Sequence, residues 1–126
     1  MTTDTTTGVN EYAHMLLKVA DIDRSRHFYK DLLGFTPRNA KPLPDGRPFV
    51  PFLQGLALTN GGVEKSPQID HIAFKAKDVP AIAARLKQAN VKFDRDLHDG
   101  LYGLTIYVYD PDGNMIELFD EHAKMS

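Results

Sequence analysis

The sequence contains no cysteine. This absence excludes disulfides, thiolate metal sites and cysteine nucleophiles, so any metal site has to use His, Asp and Glu. There is no basic excess either: the formal net charge is -2, which disfavours nucleic acid as a partner. No apolar run approaches the roughly 20 residues of a membrane span, which argues against a membrane role. The 126 residues, 42% of them hydrophobic and 25% charged, suit one globular domain.

The first residues also lack the marks of a secretory signal. The segment begins Met-Thr-Thr-Asp-Thr-Thr-Thr-Gly, with neither a basic start nor an apolar stretch. We expect a disordered tail over residues 1–10 and a cytoplasmic protein.

The remainder of the chain contains an internal repeat. The segment that starts at His14 returns at His71, and the two segments share a lysine, an aspartate and the apolar positions between them. Each polar residue of the first copy recurs 57 positions later in the second. The repeat predicts one domain of two modules, over about 12–60 and 69–120.

Each module is predicted to have the order β-α-β-β-β. Alternating residues after His14 and His71 indicate a strand with one core face, and Asp21 and Asp78 are typical helix N-caps. Helices are predicted over 22–33 and 79–90, the first ending at Gly34. Turn residues separate the remaining predicted strands, which span 35–38, 49–53, 56–59, 92–94, 104–109 and 115–119. The fold class is therefore α+β, with the two modules side by side forming one mixed-sheet cup.

The same alternation predicts which side chains face the cup. Apolar residues occupy the core side of each first strand, which leaves His14 and His71 on the cup side. Ile116 and Leu118 take the core side of the last strand, so Glu117 faces the cup, and Tyr107 does so in the strand before it. We expect these four cup-facing side chains to converge.

Two imidazoles and one carboxylate suffice to hold a catalytic metal ion. His14, His71 and Glu117 would leave positions open for substrate, and such a set accepts iron(II), manganese or zinc. Aligning Gly55 with Gly113 places Thr59 opposite Glu117 in the repeat. Because Thr59 is a poor ligand for a transition metal, the predicted site has three protein ligands.

With these residues in place, the sequence resembles the vicinal oxygen chelate superfamily, which includes glyoxalase I, fosfomycin- and bleomycin-resistance proteins and extradiol dioxygenases. The resemblance runs from about Tyr12 to Asp120. It rests on His14, on HFYKDLLGF at 27–35, on DHIAF at 70–74 and on DPDGNMIE at 110–117. The shared chemistry that it implies is chelation of two adjacent substrate oxygens by one divalent metal ion.

The spacing of His98, Tyr107 and Glu117 is similar to the signature of extradiol dioxygenases. That resemblance implies an iron(II) enzyme acting on an aromatic diol, with Tyr107 and His98 as catalytic residues that hydrogen-bond the bound substrate. This sequence departs from the extradiol signature at Asp96, where a small or apolar residue is usual. The acid-base histidine of such enzymes also has no counterpart over 55–60.

Two other functions stay open. One is a glyoxalase-like or fosfomycin-resistance-like lyase, isomerase or thiol transferase that uses manganese, zinc or nickel. Glyoxalase I normally has Glu or Gln where Thr59 was aligned, which counts against it. The other is a metal-free module that binds small molecules. The resemblance also implies a homodimer, and whether each site belongs to one chain or to two is undecided.

Overall fold

The fold is described by a computed structural model that covers residues 8, 12–64 and 69–125. Most of the predicted tail, and the end of the linker at 65–68, lie outside these residues. The strands are β1 (Met15–Lys18), β2 (Val50–Pro51), β3 (Leu56–Thr59), β4 (Ile72–Lys75), β5 (Phe93–Gly100), β6 (Gly103–Tyr109) and β7 (Met115–Asp120). The helices are α1 (Ile22–Arg26), which continues as a π-helical segment (His27–Leu32), and α2 (Val79–Gln88).

The strands form two sheets of related topology. The first sheet has the order β1-β3-β2 and the second the order β4-β7-β6-β5. In both, the strand before the helix pairs in parallel with the last strand of its half, and the next pairing is antiparallel. The predicted α+β class with mixed sheets is confirmed. β1 and β4 do not pair in the described part of the chain, so each module has its own sheet.

Both predicted helix caps are present. Asp21 accepts a hydrogen bond from the Arg24 amide (3.0 Å), and Asp78 accepts one from Ala81 (3.3 Å). The first helix differs from the prediction because it widens after Arg26, and the amide of Leu33 reaches back five residues to Phe28. Phe28 and Tyr29, two consecutive aromatic residues, are both buried over this stretch. Gly34 then ends the helix at φ 81°, a conformation that costs glycine little.

Three predicted strands have other bounds. The segment 35–38 makes a single bridge, from Pro37 to Phe52, and β2 keeps only Val50 and Pro51 of the expected 49–53. Proline has no amide hydrogen to donate, so it interrupts the ladder at these positions. By contrast β5 continues to Gly100, well beyond the predicted 92–94. Its polar residues hide the alternation because β5 is an edge strand with much of its surface in solvent.

A single hydrophobic core joins the two halves. Tyr29 and Leu58 from the first half and Leu86, Ile106 and Ile116 from the second belong to one buried cluster. Since both sheets turn their apolar faces to this shared core, the opposite faces, which carry His14 and His71, point away from it. No helix among the described residues is long and apolar enough to cross a membrane.

Candidate metal and substrate site

The second sheet brings most of the predicted site residues onto one surface. Glu117 in β7 lies between Ala73 in β4 and Tyr107 in β6. Directly paired residues of neighbouring strands point to the same side, and His71 shares that side with Ala73 because it is two residues away. We call this surface the cup face of the second sheet.

His71 and Glu117 are adjacent on the cup face. The Nε2 atom of His71 lies 3.3 Å from Oε1 of Glu117, whose side chain is only 9% exposed. The other ring nitrogen of His71, Nδ1, lies 2.5 Å from the Asp70 carboxylate. A carboxylate on one imidazole nitrogen orients the ring and leaves the second nitrogen for a metal ion. One imidazole nitrogen and one carboxylate oxygen of this chain therefore lie side by side on the cup face.

Tyr107 lies beside this pair. Its ring makes an edge contact with His71, with centroids 6.2 Å apart. Burial raises the pKa of the Tyr107 phenol, and the charge of Glu117 and a hydrogen bond to it raise that pKa further. The phenol consequently keeps its proton at neutral pH and acts as a hydrogen-bond donor.

His98 stacks on the other side of Tyr107. The ring centroids are 5.7 Å apart and the planes differ by 17°. Nδ1 of His98 lies 2.8 Å from the carbonyl oxygen of Asp96. Because a carbonyl can only accept, Nδ1 is the nitrogen that donates in this contact, and Nε2 takes no part in it. His98 belongs to β5, so its position is set by a strand.

Arg95 is a further candidate that the sequence analysis missed. It pairs directly with Tyr107 across β5 and β6, so it lies on the cup face. Among the described residues Arg95 takes part in no ion pair, unlike Arg24, Arg26 and Arg47. The register shifts around Arg95 disturb the period-two pattern that would have revealed it.

His14, in contrast, lies apart from His71 and Glu117. It directly precedes β1 in the first sheet, and its ring contacts Phe49 with centroids 5.9 Å apart. No group of three metal-binding side chains occurs in the ranges that the structure covers. The predicted set of His14, His71 and Glu117 is therefore not gathered in one place within the described part of this chain, and it stays a prediction.

The strand register also corrects the prediction that Thr59 is the counterpart of Glu117 in the first module. Leu16 and Ala73 are equivalent in the repeat, and they pair with Ala57 and Glu117 respectively. Ala57, and not Thr59, is thus the counterpart of Glu117. Counting from the turn glycines was wrong because the turn before β7 is longer than the one before β3. Since alanine has no donor atom, the conclusion that the first sheet offers no carboxylate remains.

This fold and this cup face are those of a known superfamily. The family model described as Glyoxalase/Bleomycin resistance protein/Dioxygenase superfamily matches residues 11–118. The chain belongs to this superfamily, as the sequence resemblance predicted.

Individual relatives narrow the comparison. A probable lactoylglutathione lyase from a Synechocystis strain is 29% identical over 88% of this chain and 95% of its own length. The trypanothione-dependent glyoxalase I of Leishmania major superposes with a TM-score of 0.72, at 26% identity over 90% of this chain and 88% of that one. A fosfomycin-resistance protein from Listeria monocytogenes shares the fold, with a TM-score of 0.70 at 20% identity over 90% of this chain and 93% of that one.

These relatives overturn the leading functional prediction. Relatives from Haemophilus influenzae and Neisseria meningitidis are also named lactoylglutathione lyase. The prediction of an extradiol dioxygenase, an oxidoreductase using iron(II) on an aromatic diol, is therefore wrong. The spacing of His98, Tyr107 and Glu117 does not distinguish dioxygenases from other members, because several branches of the superfamily have the same strands and the same turn at this point.

Proposed function

We propose that this protein is a glyoxalase-like, metal-dependent enzyme that acts as a lyase or isomerase on a small molecule with two adjacent oxygens. The convergence of His71 and Glu117 on an open sheet face carries the proposal. The names of the relatives that match most of the chain support it. An imidazole and carboxylate set suits manganese, zinc or nickel, and availability decides among them.

We further propose that two chains complete each site. One chain presents His71 and Glu117 together, and its own His14 directly precedes β1 in the other sheet. A second copy, placed with its first sheet against the second sheet of this chain, would bring its His14 to His71 and Glu117. Both cup faces carry exposed apolar surface that such an arrangement would cover, including Leu16 (37% exposed) and Tyr102 (61% exposed).

When bound, the metal ion supplies Lewis acidity to the two substrate oxygens. The remaining chemistry belongs to the chain. Tyr107 donates a hydrogen bond to a substrate oxygen, since its phenol stays protonated. His98 accepts a proton at Nε2, the nitrogen that its contact with Asp96 leaves free. Arg95, on the same face, offers its guanidinium to an anionic group elsewhere on the substrate.

Ala57 favours a second candidate within the same superfamily. Where glyoxalase I supplies a carboxylate or amide ligand, this chain has a methyl group, which leaves an additional metal position for water or substrate. A fosfomycin-resistance-like thiol transferase, which adds a thiol to a substrate held through its oxygens, would also use such a site. This candidate differs from the first in its co-substrate and not in its ligands.

The test loads separate samples with manganese, zinc, nickel and, without air, iron(II). Each sample is assayed for formation or breakdown of lactoylglutathione, for thiol addition to fosfomycin, and for oxygen uptake with catechols. We expect lactoylglutathione turnover with at least one metal and no oxygen uptake. Thiol addition alone would favour the second candidate, and a protein that binds no metal would contradict both.

Variants at Tyr107 and His98 test the assigned roles. Tyr107→Phe should lower turnover by about 10–100-fold and leave metal content unchanged, since only a donor is lost. Tyr109→Phe is the matched control because that hydroxyl binds Asp94 at an exposed position. His98→Ala should remove the acidic limb of the pH profile of kcat, because a base has to be deprotonated before it can accept a proton. Equal kinetics in all three variants would show that neither residue touches the substrate.

A further inference from the structure

A cavity lies between the two halves of the molecule. It measures about 790 Å³ and is bounded by the first helix, by the chain that follows α2 and by the turn before β7. None of His71, Glu117, Tyr107, His98 and Arg95 lines it. Its volume falls in the range of about 300–1,000 Å³ that is usual for small-molecule sites.

The walls of this cavity are mainly apolar. Phe28 and Leu32 contribute from the helix, and Val91 and Pro111 from the other two sides. Phe28 is only 3% exposed, so it forms part of the floor. Such walls favour a ligand with a ring or a branched apolar body.

The polar groups of the cavity are biased toward positive charge. Arg24 and Lys92 line it, and Asp110 is the only acid among the lining residues. His27 also lines it, with Nδ1 2.8 Å from the Asp31 carboxylate. The Asp110 carboxylate already accepts hydrogen bonds from Tyr29, from the Asp112 amide and twice from Asn114. With its acceptor positions filled, this carboxylate has little capacity left to bind a cationic ligand.

Arg24 and Lys92 also have few close contacts with acidic side chains of the protein. Arg24 makes ion pairs of 3.4 Å to Asp112 and 3.5 Å to Glu64, and its Nε is buried with no partner among the described residues. Lys92 lies 5.2 Å above the ring of Tyr109 and takes part in no ion pair in the described ranges. A ligand carboxylate could therefore give Arg24 a shorter, two-pronged contact than its own acids provide.

From these observations we propose that the cavity is a second ligand site, which binds a small monoanion with an apolar body, such as an aromatic or branched carboxylate or sulfonate. The site shares no residue with the candidate metal site, although Tyr109 lies on the same face of β6 as Tyr107. Its occupant bridges the two halves of the chain, since the lining residues come from both.

The test uses 1-anilinonaphthalene-8-sulfonate, a fluorescent aromatic monoanion, titrated into the full-length protein. We expect saturable binding of one molecule per chain. Arg24→Gln and Lys92→Gln should each weaken it by about tenfold, the usual effect of losing a charged hydrogen bond. Arg26→Gln is the matched control, because it removes the same charge from the same helix while Arg26 pairs with Asp23 outside the cavity. The uncharged N-phenyl-1-naphthylamine should bind more weakly than the sulfonate.

A second variant guards against misfolding as the cause of lost binding. Ala89 lines the cavity at an exposed position, so Ala89→Trp should block entry and leave the unfolding temperature close to that of the wild type. Amide NMR shifts on titration should appear at Ala89, Val91 and Gly113, with Thr105 and Phe119 on the cup face unmoved. Shifts confined to the cup face, or equal affinities of Arg24→Gln, Lys92→Gln and Arg26→Gln, would overturn the proposal.

Discussion

The two sheets of this molecule share a topology and differ in chemistry. In the second sheet, the strand position beside Ala73 holds Glu117, and the next strand adds Tyr107. In the first sheet, the equivalent positions hold Ala57 and Pro51. Of the three candidate metal ligands, only His14 belongs to the first half of the chain. A duplicated module thus keeps its strand pairing, which depends on backbone and core residues, while the side chains on its open face are free to diverge.

The largest effect should come from the second sheet. His71→Ala and Glu117→Ala should each remove bound metal and lower turnover by at least about 10³-fold, because the site loses a ligand. The far-ultraviolet circular dichroism should not change. His27→Ala and Glu121→Gln, at exposed positions, serve as controls for metal content measured by elemental analysis. Stoichiometric metal in either site variant would disprove the ligand assignment.

Mixing inactive variants tests whether the sheets of two chains cooperate. His14→Ala and Glu117→Ala are each expected to be inactive alone. If each site takes His14 from one chain and Glu117 from the other, a mixed dimer has one intact site and one doubly defective site. Co-refolding equal amounts should then restore about a quarter of wild-type activity. No recovery in a confirmed mixed dimer would place the ligands within one chain.

Restoring a carboxylate to the first sheet would sharpen the comparison further. Ala57 is fully buried, so Ala57→Glu should lower the stability of the metal-free protein by about 2–4 kcal/mol. If position 57 faces the metal, adding manganese or zinc should raise the unfolding temperature of this variant more than that of the wild type. Ala57→Leu controls for size, since it adds bulk and no ligand. An equal metal response in both variants would place position 57 away from the metal.

A smaller effect should come from the contact that ties the two halves together. The Tyr29 hydroxyl donates to the buried Asp110 carboxylate at 2.7 Å. Tyr29→Phe should lower the free energy of unfolding by about 1–3 kcal/mol, because a charged acceptor loses one buried donor. Urea unfolding measures this loss, and Tyr109→Phe should cost less since its hydrogen bond is exposed. Equal losses would mean that the Tyr29 contact adds no stability beyond that of a surface bond.

The smallest effect should be the pH dependence of stability that comes from Asp112, which contacts Ala20 and Arg24 of the other half. Burial raises the pKa of the Asp112 carboxyl, although the Ala20 amide and Arg24 oppose the shift. The folded state therefore holds this proton more tightly than the unfolded state. The resulting stability is complete below the unfolded pKa and is lost as pH rises through the folded pKa.

Asp112→Asn cannot ionise, so its stability relative to the wild type should increase as pH rises from about 4 to about 6. Asp96 should change stability with pH in the opposite direction, because its hydrogen bond from Lys87 lowers the pKa of that carboxyl. Its stabilisation is present above the unfolded pKa and is lost as pH falls. Asp96→Asn should therefore become less stable than the wild type over the same pH rise. Thermal unfolding across this range measures both, and parallel slopes would contradict the Asp112 assignment.

Local patterns in the sequence were sufficient for the repeat, the α+β class, the helix caps and the superfamily. The reason is that alternation, caps and turn motifs are read within about ten neighbouring residues. Alternation also placed His71, Tyr107 and Glu117 on one face of one sheet. It failed for β5, where an edge strand with register shifts leaves no regular pattern, and so Arg95 was missed.

Only the tertiary structure decided how the two modules sit together. The sequence shows that His14 and His71 occupy equivalent faces, but not whether those faces meet. Both sheets bury their apolar sides in one shared core, and among the described residues His14 does not join His71 and Glu117 in a group of three possible ligands. The pairing of Leu16 with Ala57, 41 residues further along the chain (57 − 16 = 41), was likewise decided by the register between their strands. Long-range packing of this kind depends on which surfaces exclude water together, and no local pattern records that choice.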